Sequence, residues 1–193
     1  MANAAVTPLS PKRRELGLRY LDEAYFLYLV RKLSPSFDSA RVEIMIEECL
    51  KLLLLLPHSE GTIAASHEVD DVWHWMILET KQYAKLCAKL PSGEFLHHRS
   101  IVFDEAEREV AGLSLVDELS SEKRKLELAQ KLSWLVSYRL NFGPFAESVL
   151  DFWPLLPEMM REQGISLDEL NERLLAVAQR SAQQRNDLGL VKE

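Results

Sequence analysis

The sequence predicts an all-α protein that folds as a single irregular bundle of about six helices. Seven glycines and eight prolines in 193 residues leave little material for the repeated tight turns of a sandwich or barrel. Hydrophobic residues make up 47% and charged residues 27%, as in ordinary globular domains. Apolar residues recur at three- and four-residue spacing, the period of an amphipathic helix. We therefore expect one domain over 1–193, with 1–10 and 187–193 loosely ordered.

Prolines and a capping aspartate bound the first two predicted helices. One runs from about Pro11 to Leu33 and is broken by the prolyl turn that follows. Asp38 has the position of an N-cap for the second helix, which Pro57 ends. Its buried stripe comprises Val42, Met45, Ile46, Cys49, Leu53 and Leu56. Its solvent side comprises Glu43, Glu47, Glu48 and Lys51.

Ser66 is expected to cap a third helix, which runs to about Leu90 and stops at Pro91-Ser92-Gly93. Residues at alternating four- and three-residue steps form a core-facing stripe on it: Val69, Trp73, Met76, Thr80, Tyr83, Cys87 and Leu90. The pattern after this helix is less regular. It fits a short extended piece at 101–103 and a short helix at 104–111.

The C-terminal part of the chain predicts three more helical segments. Two of them are 121–141 and 145–163, the second interrupted at Pro154 and Pro157. Ser166 caps the last segment, 167–186, in which the glutamate at the third position completes a capping box.

Composition and charge exclude several classes of function. The net charge of −7 does not provide the basic surface that attracts nucleic acid. The longest apolar run, Leu52–Leu56, is far shorter than the roughly 20 residues of a membrane span, so we expect a cytoplasmic protein with no membrane partner. Cys49 and Cys87 lie in apolar helical patterns, which is typical of reduced structural cysteines. The motifs of phosphate-binding loops and nucleophile elbows are absent from the sequence.

The histidines point to a candidate site, since four of the five lie between His67 and His98. His67, Asp71 and His74 are four and three residues apart on the third predicted helix, so their side chains can converge. Asp70, one turn before His74, can join them. Imidazole and carboxylate ligands together suit zinc or iron.

A metal site of this kind needs a further ligand from elsewhere in the chain. His97 and His98 are the candidates, because the turn at Pro91 lets the chain double back towards the third helix. Cys87 lies thirteen residues after His74, which places it on the far side of an unbroken helix and outside a shared site.

Two hypotheses for the function follow. In the first, the histidines and aspartates bind zinc or iron, and the protein is an accessory protein or a metal-dependent enzyme of specialised metabolism. In the second, they form a structural polar network in a non-catalytic interaction module, with His74 bonded to Asp70 or Asp71. The partner, a protein or a small molecule, is left open, and the sequence does not decide whether the protein is an enzyme.

The segment Val69–His98 resembles a pattern found in poorly characterised bacterial proteins, which are similar to the N-terminal domain of the plant glycine-rich-domain proteins. The shared pattern is Val-Asp-x-Val-Trp-His at Val69–His74, then Ile-Leu, Thr, Tyr, Cys and a His-His pair at His97 and His98. The likeness covers about a sixth of the chain and implies no particular activity. This sequence has Met76 where some relatives have a second histidine, and Arg99-Ser100 where they have a proline-containing exit.

Overall fold

All regular structure in the described part of the chain is helical, which confirms the predicted all-α class. The computed structural model describes residues 16–17, 19–58, 65–98, 110 and 121–187. Within these residues there are seven α-helices of nine residues or more, against the six or so expected. No helix found there combines the length and the apolar character that a membrane crossing requires.

The structure describes seven α-helices and two 3-10 helices with these bounds. The α-helices are α1 Glu23–Leu33, α2 Ser39–Leu55, α3 His67–Leu78, α4 Thr80–Lys89, α5 Ser121–Phe142, α6 Leu155–Gln163 and α7 Leu167–Asp187. The 3-10 helices are Leu56–His58 and Glu147–Phe152. The pieces predicted at 101–103 and 104–111 lie outside the described residues except for Val110, which is helical. The ends expected to be loose, 1–10 and 187–193, lie outside as well, except for Asp187.

The first two helices begin at aspartates whose carboxylates bond to backbone N–H groups of the first turn. Asp38 accepts from the backbone of Arg41 at 3.0 Å, as predicted for an N-cap. Asp22 does the same for Tyr25 at 2.8 Å. That second cap divides the helix predicted from Pro11 to Leu33, because the backbone at Asp22 is extended and a new helix starts at Glu23.

The long third helix predicted from Ser66 to Leu90 is divided at Glu79, so this prediction was wrong in its extent. Glu79 has a non-helical backbone (φ −92°, ψ 63°), and α4 restarts at Thr80. The carbonyl of Met76, which would accept from Thr80 in an unbroken helix, accepts instead from the Tyr25 hydroxyl at 2.7 Å and the Glu79 N–H at 3.3 Å. A tertiary contact thus replaces a helical hydrogen bond.

Only one of the two prolines expected to interrupt the segment 145–163 does so. The chain leaves the 3-10 helix at Trp153-Pro154 and re-enters an α-helix at Leu155. Pro157 is the third residue of α6, where a missing N–H costs no helical hydrogen bond. Ser166 caps α7 as predicted, because its hydroxyl accepts from the Glu169 N–H at 3.2 Å.

Helix α2 lies at the centre of the fold and packs against α1, α3, α5 and the 3-10 helix Glu147–Phe152. The buried apolar residues from Tyr20 to Leu174 form one continuous core. The predicted stripe of α2 is buried, apart from a partly exposed Leu56. The assignment of Glu48 to the solvent side was wrong: Glu48 is 0% exposed, since α5 and the 3-10 helix cover that side as well.

Candidate metal centre

Helix α3 positions two side chains of the candidate site. Its buried side carries Val69, Val72, Trp73 and Met76, which fix the rotation of the helix against the core. Asp70 and His74 lie one turn apart at the edge of that buried side. Asp70 is also in the first turn, where the helix dipole favours negative charge.

A chain of hydrogen bonds holds the segment that follows α4 against α3. The indole Nε1 of Trp73 donates to the Tyr83 hydroxyl at 2.8 Å, and this hydroxyl donates to the Leu96 carbonyl at 2.7 Å. Gly93, with φ 65°, makes the turn that returns the chain. The two residues after Leu96 are therefore brought back beside α3.

His98 completes a group of three metal-binding side chains. In the part of the chain that the structure describes, Asp70, His74 and His98 have ligand atoms that all lie within 4.8 Å of one another. His98 Nε2 is 2.7 Å from Asp70 Oδ1, and His74 Nδ1 is 3.4 Å from Asp70 Oδ2. The His74 and His98 rings meet edge to face with centroids 4.3 Å apart. We call these three residues the triad.

The spacing of the triad is close to that of a metal site. Ligand atoms about 2.0–2.2 Å from a tetrahedral ion lie roughly 3.4 Å from each other. The 2.7 Å between His98 Nε2 and Asp70 Oδ1 must widen by less than about 1 Å to reach this value, and the three ligand atoms already lie within 4.8 Å of one another. The residues present therefore fit a zinc or ferrous ion with three protein ligands.

The tautomer of His74 leaves one ring nitrogen with a free lone pair. Its Nδ1 lies 2.9 Å from the backbone carbonyl of Asp70, and a carbonyl only accepts, so Nδ1 must donate. Metal-binding histidines usually make this kind of second hydrogen bond. The side chain of His74 is 45% exposed, whereas those of Asp70 and His98 are 19% and 7% exposed. Solvent reaches the triad from the His74 side.

Three residues of the predicted site stay outside the triad. His67 is the first residue of α3, seven residues and about 10 Å along the axis from His74, and it is exposed. Asp71 is exposed because it lies 100° further round the helix than Asp70. His97 is exposed and its ring packs against Phe95, with centroids 5.1 Å apart. His98 thus supplies the ligand of the His-His pair.

The two cysteines also lie apart from the metal-binding group. Both are free and buried. Burial raises the pKa of the Cys49 thiol, and the nearby charge of Asp70 raises it further. Cys87 faces the core from α4, as expected for its position.

A small cleft adjoins the triad. It has a volume of about 390 Å³, and His74 and His98 form part of its wall. Ile77, Leu78 and Phe95 are among the apolar residues of its wall. The Tyr83 ring also lines the cleft, and burial raises the pKa of its hydroxyl, which stays a neutral donor to Leu96. The sequence did not predict this cleft, although the apolar Phe95 lies close to His97 and His98 in the chain.

A family model matches residues 20–137, more than half of the chain, and the chain belongs to this family, described as UCP032817-like. The match includes the whole triad and the cleft. No curated protein and no solved structure is significantly similar to the chain. The geometry of the site is therefore the basis for inferring its function.

Proposed function

We propose that this protein binds one zinc or ferrous ion through Asp70, His74 and His98. The observation that carries the proposal is the meeting of three ligand-type side chains from two separate segments within 4.8 Å. Two of the three side chains, Asp70 and His98, are largely buried, which distinguishes this group from a cluster of exposed acidic residues. Two imidazoles and one carboxylate are a donor set that zinc and iron sites use.

The site has the form of a catalytic centre more than that of a structural one. Structural zinc sites are closed by four protein ligands, whereas catalytic sites keep a position open for solvent or substrate. The triad supplies three ligands, and its exposed member, His74, also lines the cleft. We therefore propose a metal-dependent enzyme acting on a small molecule in the cytoplasm. The accessory-protein alternative retains the same metal.

A second candidate function has a specific observation in its favour. The bond between His98 and Asp70 pins the segment after Pro91 to α3, and the bond from Tyr83 to Leu96 pins it to α4, without any metal. In this proposal the histidines are structural and the surface around them binds another protein. The likeness of Val69–His98 to the plant glycine-rich-domain proteins, also a proposal, is compatible with either function.

Metal analysis and thermal unfolding distinguish the two candidates. Protein purified without chelator should contain about one zinc or iron ion per chain. At a free metal concentration about 100 times Kd, bound metal raises the melting temperature by about 5 to 11 °C, and chelator should remove that increment. The His74→Ala variant should contain no stoichiometric metal and should not respond to chelator.

His67→Ala is the matched control, because it removes an exposed histidine of the same helix that lies outside the triad. This variant should keep the metal and the response to chelator. Metal-free wild-type protein whose melting temperature is the same with zinc and with chelator would contradict the metal proposal and support the structural one.

A further inference from the structure

We infer that the cleft beside the triad binds a small carboxylic acid with a short apolar tail, its carboxylate directed at the metal. This inference depends on the proposed metal binding and adds the chemical class of the ligand. It comes from three properties of the cleft: its size, its apolar wall and the charge at its polar end.

The volume of the cleft and its apolar wall indicate that the ligand has a short apolar tail. A volume of about 390 Å³ lies near the lower end of the range for small-molecule sites, roughly 300–1,000 Å³. Leu78 and Phe95 stand at the cleft 64% and 47% exposed, although large apolar side chains gain from leaving water. A ligand tail lying against them would cover this surface.

The charge at the polar end of the cleft indicates the head group of the ligand. A divalent ion held by one carboxylate and two neutral imidazoles leaves one positive charge. Among the described residues that line the cleft there is no Asp, Glu, Lys or Arg, so nothing in the wall balances this charge. The Tyr83 hydroxyl is already engaged by Trp73 and Leu96. A ligand with a single negative charge and oxygen donors complements such a site.

The same charge argument disfavours other polar ligands. A phosphate monoester carries close to two negative charges and is usually bound by arginine, lysine or a helix N-terminus. The lining residues include neither cation. An ammonium group would meet the positive charge of the ion. A monocarboxylate is the head group that the wall accommodates.

Three probes separate the contributions of head and tail. Hexanoate has both, acetate has the head alone, and 1-hexanol has the tail alone. Each methylene removed from water changes affinity about fourfold, so burial of two of the additional methylenes makes hexanoate bind about 15-fold more tightly than acetate. Calorimetric titration of zinc-loaded protein should show this difference, and binding of 1-hexanol at least about tenfold weaker than that of hexanoate.

A variant at the cleft tests the location. Leu78→Gln keeps the size of an exposed side chain but removes its apolar surface, so it should weaken hexanoate binding at least about threefold and leave acetate and zinc binding unchanged. Leu140→Gln is the matched control, since Leu140 is 54% exposed on α5 and does not line the cleft. It should leave all three affinities unchanged.

Failure of this inference is distinguishable from failure of the metal proposal. Zinc-loaded protein that binds hexanoate no more tightly than acetate overturns the inference alone. Equal binding of hexanoate with and without zinc, or equal effects of Leu78→Gln and Leu140→Gln, also overturns it. A protein that takes up no zinc overturns both.

Discussion

Asp70 and Asp71 are adjacent and chemically identical, yet only Asp70 belongs to the triad. Successive residues of an α-helix point 100° apart, and the side of Asp70 is the one next to the buried Trp73. The segment carrying His98 packs on that side, with the Trp73 and His98 rings 4.4 Å apart. Sequence spacing could identify both aspartates as candidates, but the choice between them depends on where a residue 28 positions away returns.

Glu48 shows a second effect of long-range packing at a single residue. Its carboxylate is fully buried and accepts from Lys51 at 2.8 Å, from the Tyr138 hydroxyl at 3.0 Å and from Trp153 Nε1 at 2.8 Å. The aromatic partners are 90 and 105 residues away in the chain. From the helical pattern of α2 alone, Glu48 looked like a solvated residue beside Lys51.

Removal of the Glu48 carboxylate should destabilise the protein strongly. Glu48→Ala leaves the Tyr138 hydroxyl and the Trp153 indole N–H without this buried acceptor, while Lys51 keeps its ion pair with Glu47. Because each unsatisfied buried donor costs about 1–3 kcal/mol, we expect the free energy of unfolding to fall by about 2–5 kcal/mol. Chemical denaturation measures this change. Glu162→Ala, at an exposed position of α6, should change the same quantity by no more than about 0.5 kcal/mol. Similar costs for the two variants would show that Glu48 is not buried.

At the scale of elements, local signals predicted where several helices begin. Asp38 and Ser166 both make the capping bonds expected of them. Ser66 precedes α3 as predicted, but its hydroxyl does not bond to the first turn of the helix. The backbone N–H of Ser66 donates to the Phe152 carbonyl. The division at Glu79 had no local signal, since no proline or glycine stands there. At this division the carbonyl of Met76 accepts a hydrogen bond from the hydroxyl of Tyr25, 51 residues earlier.

Tyr25→Phe tests whether the Tyr25 hydroxyl stabilises the break between α3 and α4. Loss of the hydroxyl leaves the buried Met76 carbonyl with only the longer hydrogen bond from the Glu79 N–H. We expect this loss to lower the free energy of unfolding by about 1–2 kcal/mol. Tyr28→Phe, at a half-buried position on the same helix, should change it by less than about 0.5 kcal/mol. Denaturant titration of both variants compares the two values. Equal small effects would mean that the Tyr25 hydroxyl does not stabilise the break.

At the scale of the whole molecule, composition and periodicity were sufficient for the fold class. They predicted helices because the apolar residues repeat at the helical period, and the buried side of α2 follows that repeat. They did not predict how the helices pack, because partners such as Glu48 and Trp153 are distant in sequence. The triad was predictable in part. The spacing of Asp70 and His74 along α3 could be read from the sequence, whereas the position of His98 beside them depends on the tertiary structure.

One buried cysteine thiol and two buried tyrosine hydroxyls in the core should make the protein less stable at alkaline pH. Burial raises the pKa of Cys49, Tyr25 and Tyr83, so the folded protein keeps these groups neutral. The unfolded chain ionises the thiol above its usual pKa of 9.0 and the phenols above 10.0. Their contribution to stability is thus complete below about pH 9 and is lost as the pH rises towards the folded-state values.

Denaturation between pH 8 and pH 10 measures this loss. Each group ionised only in the unfolded state lowers the free energy of unfolding by about 1.4 kcal/mol per pH unit. Between pH 9 and pH 10 the thiol contributes most to this loss. The free energy of unfolding of Cys49→Ala should therefore fall less steeply with pH in this interval than that of the wild type. An identical slope in that interval would show that the thiol does not contribute.

We propose that Asp70 and His98 bind a metal ion together with His74. A competitive zinc titration against a chromophoric chelator tests this binding, with two matched pairs of variants: Asp70→Asn against Asp71→Asn, and His98→Gln against His97→Gln. We expect one zinc ion per chain for the wild type and for Asp71→Asn and His97→Gln. For Asp70→Asn and His98→Gln we expect a zinc affinity lower by more than about 100-fold, because loss of a ligand exceeds the 10- to 100-fold cost of losing an outer-shell partner. Zinc affinities that are the same within each matched pair, or no saturable zinc binding by the wild type, would show that the triad is not a metal site.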